Sequence, residues 1–212
     1  NYARAFAWET CSLANNSEWF PNDMPPNWME DAFASVNRAM ELDPDDPEAH
    51  RILGAIKLMF EGDMDKAIFH HKKAIEICPS DTFHLARYSV LLSYLGKPEE
   101  AMGQIEKALR INPFGSDLMF ETQGVCGYLL KNYNEALSSF KNMQIETRTS
   151  LFYAAACHNC LGQLEFAKNK LELAKTDSGM KIDKFVSTQL YQNEEISNRL
   201  KKNLSSIEES VV

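Results

Sequence analysis

The chain has 212 residues, 44% of them hydrophobic, which is enough apolar material for a sizeable buried core. Lys plus Arg number 22 against 30 Asp plus Glu, a formal net charge of −8. That balance disfavours binding to a nucleic acid backbone. No apolar run approaches the roughly 18 residues that a membrane-crossing helix needs, and no signal peptide opens the chain.

One motif is written three times: Ala39-Met-Glu-Leu-Asp-Pro44, Ala74-Ile-Glu-Ile-Cys-Pro79 and Ala108-Leu-Arg-Ile-Asn-Pro113. Its prolines stand 35 and then 34 residues apart. A second series, Ala32, Ala67, Ala101 and Ala136, keeps the same step. A fixed period of this length predicts an array of small units rather than one globular core.

Within each unit the alanines predict a close helix crossing, and larger residues fill the gaps beside them. Pro44, Pro79 and Pro113 stop the second helix, because proline has no N–H for the ladder and restricts its predecessor. Asp45-Asp46-Pro47-Glu48 and Ser80-Asp81 supply N-cap oxygens and negative charge at helix starts. Lys97-Pro98-Glu99-Glu100 opens another helix.

The repeat resembles the tetratricopeptide repeat (TPR), two antiparallel helices, A and B, per unit of about 34 residues. The helix B half matches as Ala67/His71/Ala74/Pro79, Ala101/Ile105/Ala108/Pro113 and Ala136/Phe140/Met143. The helix A half is looser: Phe6; His50 with Leu53-Gly54; Leu85 with Tyr88-Ser89; Phe120 with Gly124. A fifth unit carries Gly162, Ala167 and Ala174. The resemblance implies an all-α, right-handed superhelical solenoid of about five helix pairs. Its units fall near 2–44, 47–79, 82–113, 117–146 and 148–177, in an array over 1–179. Residues 180–212 then form capping helices and a tail.

The first unit departs most from the pattern. About ten extra residues separate its helices, over Asn15 to Trp28, and this stretch reads as a long Pro-rich loop. It holds Trp19, Phe20 and Trp28, either as a binding surface or as a cover for the exposed end of the array. The step from Ala136 to Ala167 is short at 31, and the proline is missing there. Beyond the array, Ile182 to Tyr191 is apolar. Asn193 then caps a helix with Ile196, Leu200, Leu204 and Ile207 on one face. This helix is expected to seal the open end of unit five, with a frayed tail after Ser205. The ending resembles the C-terminal region of certain bacterial class III adenylate/guanylate cyclases, and also membrane-bound transcriptional activators with C-terminal TPR arrays. In both, the TPR part is accessory to a domain elsewhere. The opening Asn1-Tyr2-Ala3 likewise reads as a cut into a longer sequence.

Candidate chemistry is sparse. Cys157-His-Asn-Cys160 is one C-x-x-C, inside a predicted helix and without a second pair, so packing is the better reading than metal or redox chemistry. Five irregularly spaced cysteines suit a reducing compartment, and a cytoplasmic location is expected. Of His70-His71, the second falls on the core position and the first on its exposed neighbour. The acidic run Glu41 to Glu48 lacks a calcium loop's Gly and Glu. No nucleotide loop or catalytic triad appears, and neither cofactor, metal nor catalytic residue is expected.

The TPR resemblance places the lining of a peptide-binding groove on helices A. It gives Arg51, Met59, Phe83, Val90, Tyr94, Glu121, Val125, Tyr128, Phe152 and Asn159. This surface is mostly apolar and lacks the basic clamp that grips acidic chaperone tails. The implied ligand is an apolar peptide or helix, a segment of the parent protein, or a second copy. The function implied is a protein interaction module, non-enzymatic by itself, within a signalling protein. The alternatives are the regulatory region of a cyclase or of a transcriptional regulator, and a homodimerising scaffold.

Overall fold

The computed structural model describes residues 2–19 and 23–210, and every regular element among them is helical. The helices are α1 (Ala3–Trp19), α2 (Trp28–Leu42), α3 (Pro47–Met59), α4 (Met64–Ile77), α5 (Thr82–Tyr94) and α6 (Pro98–Ile111). They continue as α7 (Asp117–Leu129), α8 (Tyr133–Lys141), α9 (Arg148–Cys160), α10 (Leu164–Ser178), α11 (Ile182–Thr188) and α12 (Glu194–Glu209). The first ten pair in sequence, α1 with α2 through α9 with α10. The chain divides into two compact units, residues 1–87 and 88–212, with the boundary inside α5.

Sequence accounts for the helix ends. Helices α2, α4 and α6 stop at Leu42, Ile77 and Ile111, each two residues before its proline. The Asp46 carboxylate accepts from the Ala49 N–H and caps α3, and Asp81 accepts from Phe83 and His84. Helix α8 has no proline to stop it and runs only 9 residues. Its exit is fastened by Asp117, whose carboxylate accepts from the Gln144 and Ile145 N–H groups. A capping box of Thr147 and Ser150 then opens α9.

The A–B crossings follow one rule of complementary volume. Where glycine sits on helix A, a ring fills the space: a β-carbon on Gly54 would lie 2.9 Å from His71, and one on Gly124 would lie 2.3 Å from Phe140. Where a hydroxyl sits there, it binds the helix B carbonyl instead, Thr10 to Ala32 at 2.9 Å and Ser89 to Ala101 at 2.6 Å. The smaller Val36 and Ile105 then hold the ring position, both fully buried.

Three of the A–B turns share a left-handed glycine: Gly62, Gly96 and Gly162 at φ 66°, 71° and 70°. The α7–α8 turn puts Lys131 in the same conformation at φ 65°, where a β-carbon is disfavoured.

Three expectations need correction. The inserted stretch is not a long loop: α1 continues to Trp19, so helix propagation absorbs its first part. The tail does not fray at Ser205, because α12 runs to Glu209 with Ile207 buried. His70 is half-buried rather than exposed, with its Nδ1 2.9 Å from Nδ1 of His50.

Candidate functional site

In the first unit the predicted groove residue Arg51 is turned to internal use. Only 2% of it is exposed. Its Nε and Nη2 donate to the Glu48 carboxylate at 3.1 and 2.5 Å, and its guanidinium lies over the Phe83 ring at 4.9 Å. Arg87 flanks the same ring at 5.1 Å. The other Glu48 partner is His84, whose Nε2 lies 3.0 Å away and donates, since a carboxylate only accepts. Burial pushes the Glu48 carboxyl up, but hydrogen bonds from His84 and Arg51 together outweigh it and hold it at about 2. Met59, by contrast, is 55% exposed. Trp28 is half-buried, its ring edge-on to Phe60 at 5.6 Å. The Trp19 side chain and Phe20 lie outside the described residues.

Two histidines of this unit are explained by packing. Burial first, then the nearby Arg51 and Arg87, lowers His71 to about 3, so it is neutral against Gly54. His50 Nε2 donates to the Pro44 carbonyl, which leaves His50 Nδ1 to accept from His70.

In the second unit the predicted groove is occupied by the chain itself. Residues 182–209 lie across the face made by the end of α5, by α7 and by α9. Phe185 of α11 stacks on Phe152, with ring centroids 4.1 Å apart at 13°. Between α11 and α12, Tyr191 meets Tyr94 edge-on at 5.4 Å, its hydroxyl 2.5 Å from that of Tyr153. The Gln192 N–H donates to the Tyr94 carbonyl at 2.9 Å. Arg199 of α12 donates to the Leu129 carbonyl at 3.1 Å and lies over the Tyr128 ring. Asn203 donates to the Tyr128 hydroxyl at 3.0 Å, while its own carbonyl accepts from Asn159 at 2.8 Å. Tyr128 and Phe152 are therefore completely buried. Burial raises the Tyr128 hydroxyl well above its usual range, so it stays a neutral hydrogen-bonding group.

Four of the predicted groove residues, Tyr94, Tyr128, Phe152 and Asn159, thus converge on one bound segment. The others do different work. Glu121 accepts from the Thr147 hydroxyl, Val125 packs against the core of this unit, and Val90 is half-buried. The last helix, expected to seal the open end of unit five, contacts α9 and α10 and also reaches α7. Sequence reading passed over Arg199 and Asn203. Their signal was available, since both interrupt the apolar stripe of Ile196, Leu200, Leu204 and Ile207 at helical spacing.

The C-x-x-C pair sits at the end of α9. Cys157 is completely buried, and burial together with Cys160 raises its thiol far above the usual range, which leaves it a poor nucleophile. Cys160 accepts from Asn203 at 3.1 Å. Among the described residues no group of three or more His, Cys, Asp or Glu is placed to share a metal ion. No described helix is long and apolar enough to cross a membrane.

Stacked helical hairpins with small residues at each A–B crossing and a left-handed turn residue define a TPR-type array. Solved structures agree. The chain is similar to PilW, a widely conserved type IV pilus biogenesis factor, at 18% identity and a TM-score of 0.67, over 98% of this chain and 92% of that one. It is similar to a thermophilic TPR protein of Thermus thermophilus at 20% identity and 0.63, over 85% and 96%. It is also similar to YrrB, a TPR protein with an unusual peptide-binding site, at 19% identity and 0.53, over 81% and 85%. Likeness at these identities is likeness of fold. No protein-family model and no curated protein matches the sequence.

Proposed function

We propose that this chain is a protein interaction module that recognises an apolar or amphipathic peptide segment and performs no chemistry of its own. One observation carries the reading: the helix A face of the second unit already holds such a segment, clamped by aromatic stacking and by hydrogen bonds to backbone carbonyls. Helix-in-groove recognition of this kind rests on apolar anchors at helical spacing. The peptide-binding site of the similarly folded YrrB is in keeping with it. In the first unit, Met59 and the Phe83 edge are the proposed contact points, with Trp28 as the competing one.

The test uses the full chain as bait and a partner mapped to a short peptide. Met59→Ala and Phe83→Ala should weaken that peptide at least tenfold, since interface anchors commonly contribute about 2 kcal/mol or more. If both bind normally while Trp28→Ala abolishes binding, the inserted segment is the site instead. A narrower reading makes the chain the accessory region of a signalling protein, a class III cyclase or a membrane-bound transcriptional regulator. It rests on the resemblance of residues 182–204. A gene sequence lacking both a cyclase domain and a winged-helix domain would remove it.

A further inference from the structure

The seam under residues 182–209 is built differently from the rest of the array. Repeat packing within each helix pair uses alanine: Ala67, Ala101, Ala136 and Ala167 are all fully buried. The seam instead uses four tyrosines (94, 128, 153 and 191), with Arg199 and Asn203. Aromatic anchors, arginine and backbone-directed hydrogen bonds are the composition of a recognition interface rather than of a repeat core.

Three further features bear on whether the segment can leave. It carries its own N-cap, Asn193 accepting from the Glu195 N–H, and an outer face of Glu194, Glu195, Lys201 and Lys202 that water solvates. Its connector is short: Gly179, left-handed at φ 62°, then Met180 and Lys181, beside an open cleft of about 440 Å³. Its seat leaves one donor unmet, Arg199 Nε, which is buried without a hydrogen-bond partner among the described residues, as His84 Nδ1 is in the array.

We infer that residues 182–209 are a built-in ligand. They hold a site for an amphipathic helix, and an external helix of the same chemistry binds by displacing them. The ligand pattern is read from the occupant. It places apolar residues at the spacing of Ile196, Leu200, Leu204 and Ile207, with an asparagine beside the third to meet the Tyr128 hydroxyl. Vacating the site without replacement would bare Tyr128, Phe152 and Tyr153, so displacement is exchange rather than opening. This inference rests on the interaction reading above and names its site and partner chemistry.

The test changes the tether and leaves the seam intact. Inserting about 15 Gly/Ser residues after Gly179 lowers the effective concentration of the internal segment roughly tenfold by the −3/2 power of connector length. The probe is a fluorescent synthetic peptide of residues 182–210. It should bind the lengthened chain about tenfold more tightly than the native chain. An Asn203→Ala peptide should bind the lengthened chain at least tenfold more weakly than the native peptide. Concentration-dependent dimers of the lengthened chain, with unchanged helicity, would be the same exchange between two copies and would support the inference. Equal peptide affinity for both chains, or no binding to either at 100-fold excess, overturns it. A mapped partner that competes with this peptide yet binds both chains equally overturns it too, while leaving the interaction reading in place.

Discussion

Replacing Glu48 with glutamine keeps the shape of the side chain and removes its charge. In the native chain that charge neutralises Arg51, which is 2% exposed and gives two hydrogen bonds to it, and it accepts a third from His84, itself 3% exposed. Glutamine offers one oxygen to these donors, and its amide must face one of them. Arg51 is then a buried cation without a counter-ion. Breaking one side of a buried pair costs about 3–5 kcal/mol, and the retained hydrogen bond places Glu48→Gln near the lower end, about 3 kcal/mol. At a urea slope of about 1–3 kcal/mol per molar, the midpoint falls by about 1–3 M. Tryptophan fluorescence is the assay, because all three tryptophans, at 8, 19 and 28, belong to the first unit and report on it alone. A Glu48→Leu, Arg51→Met double variant should recover part of the loss, since a well-packed apolar pair often replaces a buried ion pair without penalty, while the buried His84 Nε2–H is left without its acceptor. Acid adds a second readout. The Glu48 carboxyl is held at about 2 in the fold, below its ordinary 4.5, so its contribution is present above 4.5 and disappears as pH falls through about 2. That part of the acid sensitivity should vanish in Glu48→Gln. A loss below about 1 kcal/mol, the range of an exposed pair, would refute the reasoning and return Arg51 to the proposed groove residues.

Lys131→Gly should stabilise the second unit by about 0.5–1 kcal/mol in thermal melts, because it supplies at the α7–α8 turn the residue that three sister turns already use. Gly124→Ala should cost about 1–3 kcal/mol by driving a methyl into Phe140, and Phe140→Leu in the same chain should return part of it; additive losses in a double-mutant cycle would contradict the packing rule. His71, lowered to about 3 by burial and by Arg51 and Arg87, stays neutral in the fold while the unfolded chain protonates below 6.5. His70, which burial and then His50 lower to about 4, acts in the same direction, so stability should be level above about pH 7 and fall toward pH 5; His71→Phe should remove about 2 kcal/mol of that fall and leave the His70 part.

The array was legible because its constraints are local. A proline two residues past a helix end, an aspartate at an N-cap and an alanine at a crossing each act within a few residues, and the 34-residue step repeats them. The predicted groove residues are a different case. Tyr94, Tyr128, Phe152 and Asn159 do converge, but as the seat of residues 182–209 rather than as an open surface. The stripe of α12 says that one face needs covering and says nothing about which surface covers it. Arg51 escaped for a related reason: Glu48 stands only three residues before it on α3, but the cap motif that Glu48 completes already explained that residue locally, and the groups that close the site, His84 on Glu48 and the Phe83 ring under Arg51, come from α5.

The seating of α12 also sets an order of assembly during synthesis. Tyr128 leaves the ribosome about 75 residues ahead of Leu204, an interval of about 4–15 s at ordinary rates of chain growth. Through that interval the face bearing Tyr128, Phe152 and Tyr153 has no lid, whereas the first unit has all of its own helices in hand. The nascent second unit is therefore the natural client for a chaperone that shields aromatic surface, and a stalled chain ending before Ile182 should be held by one longer than a stalled chain that includes Ile207.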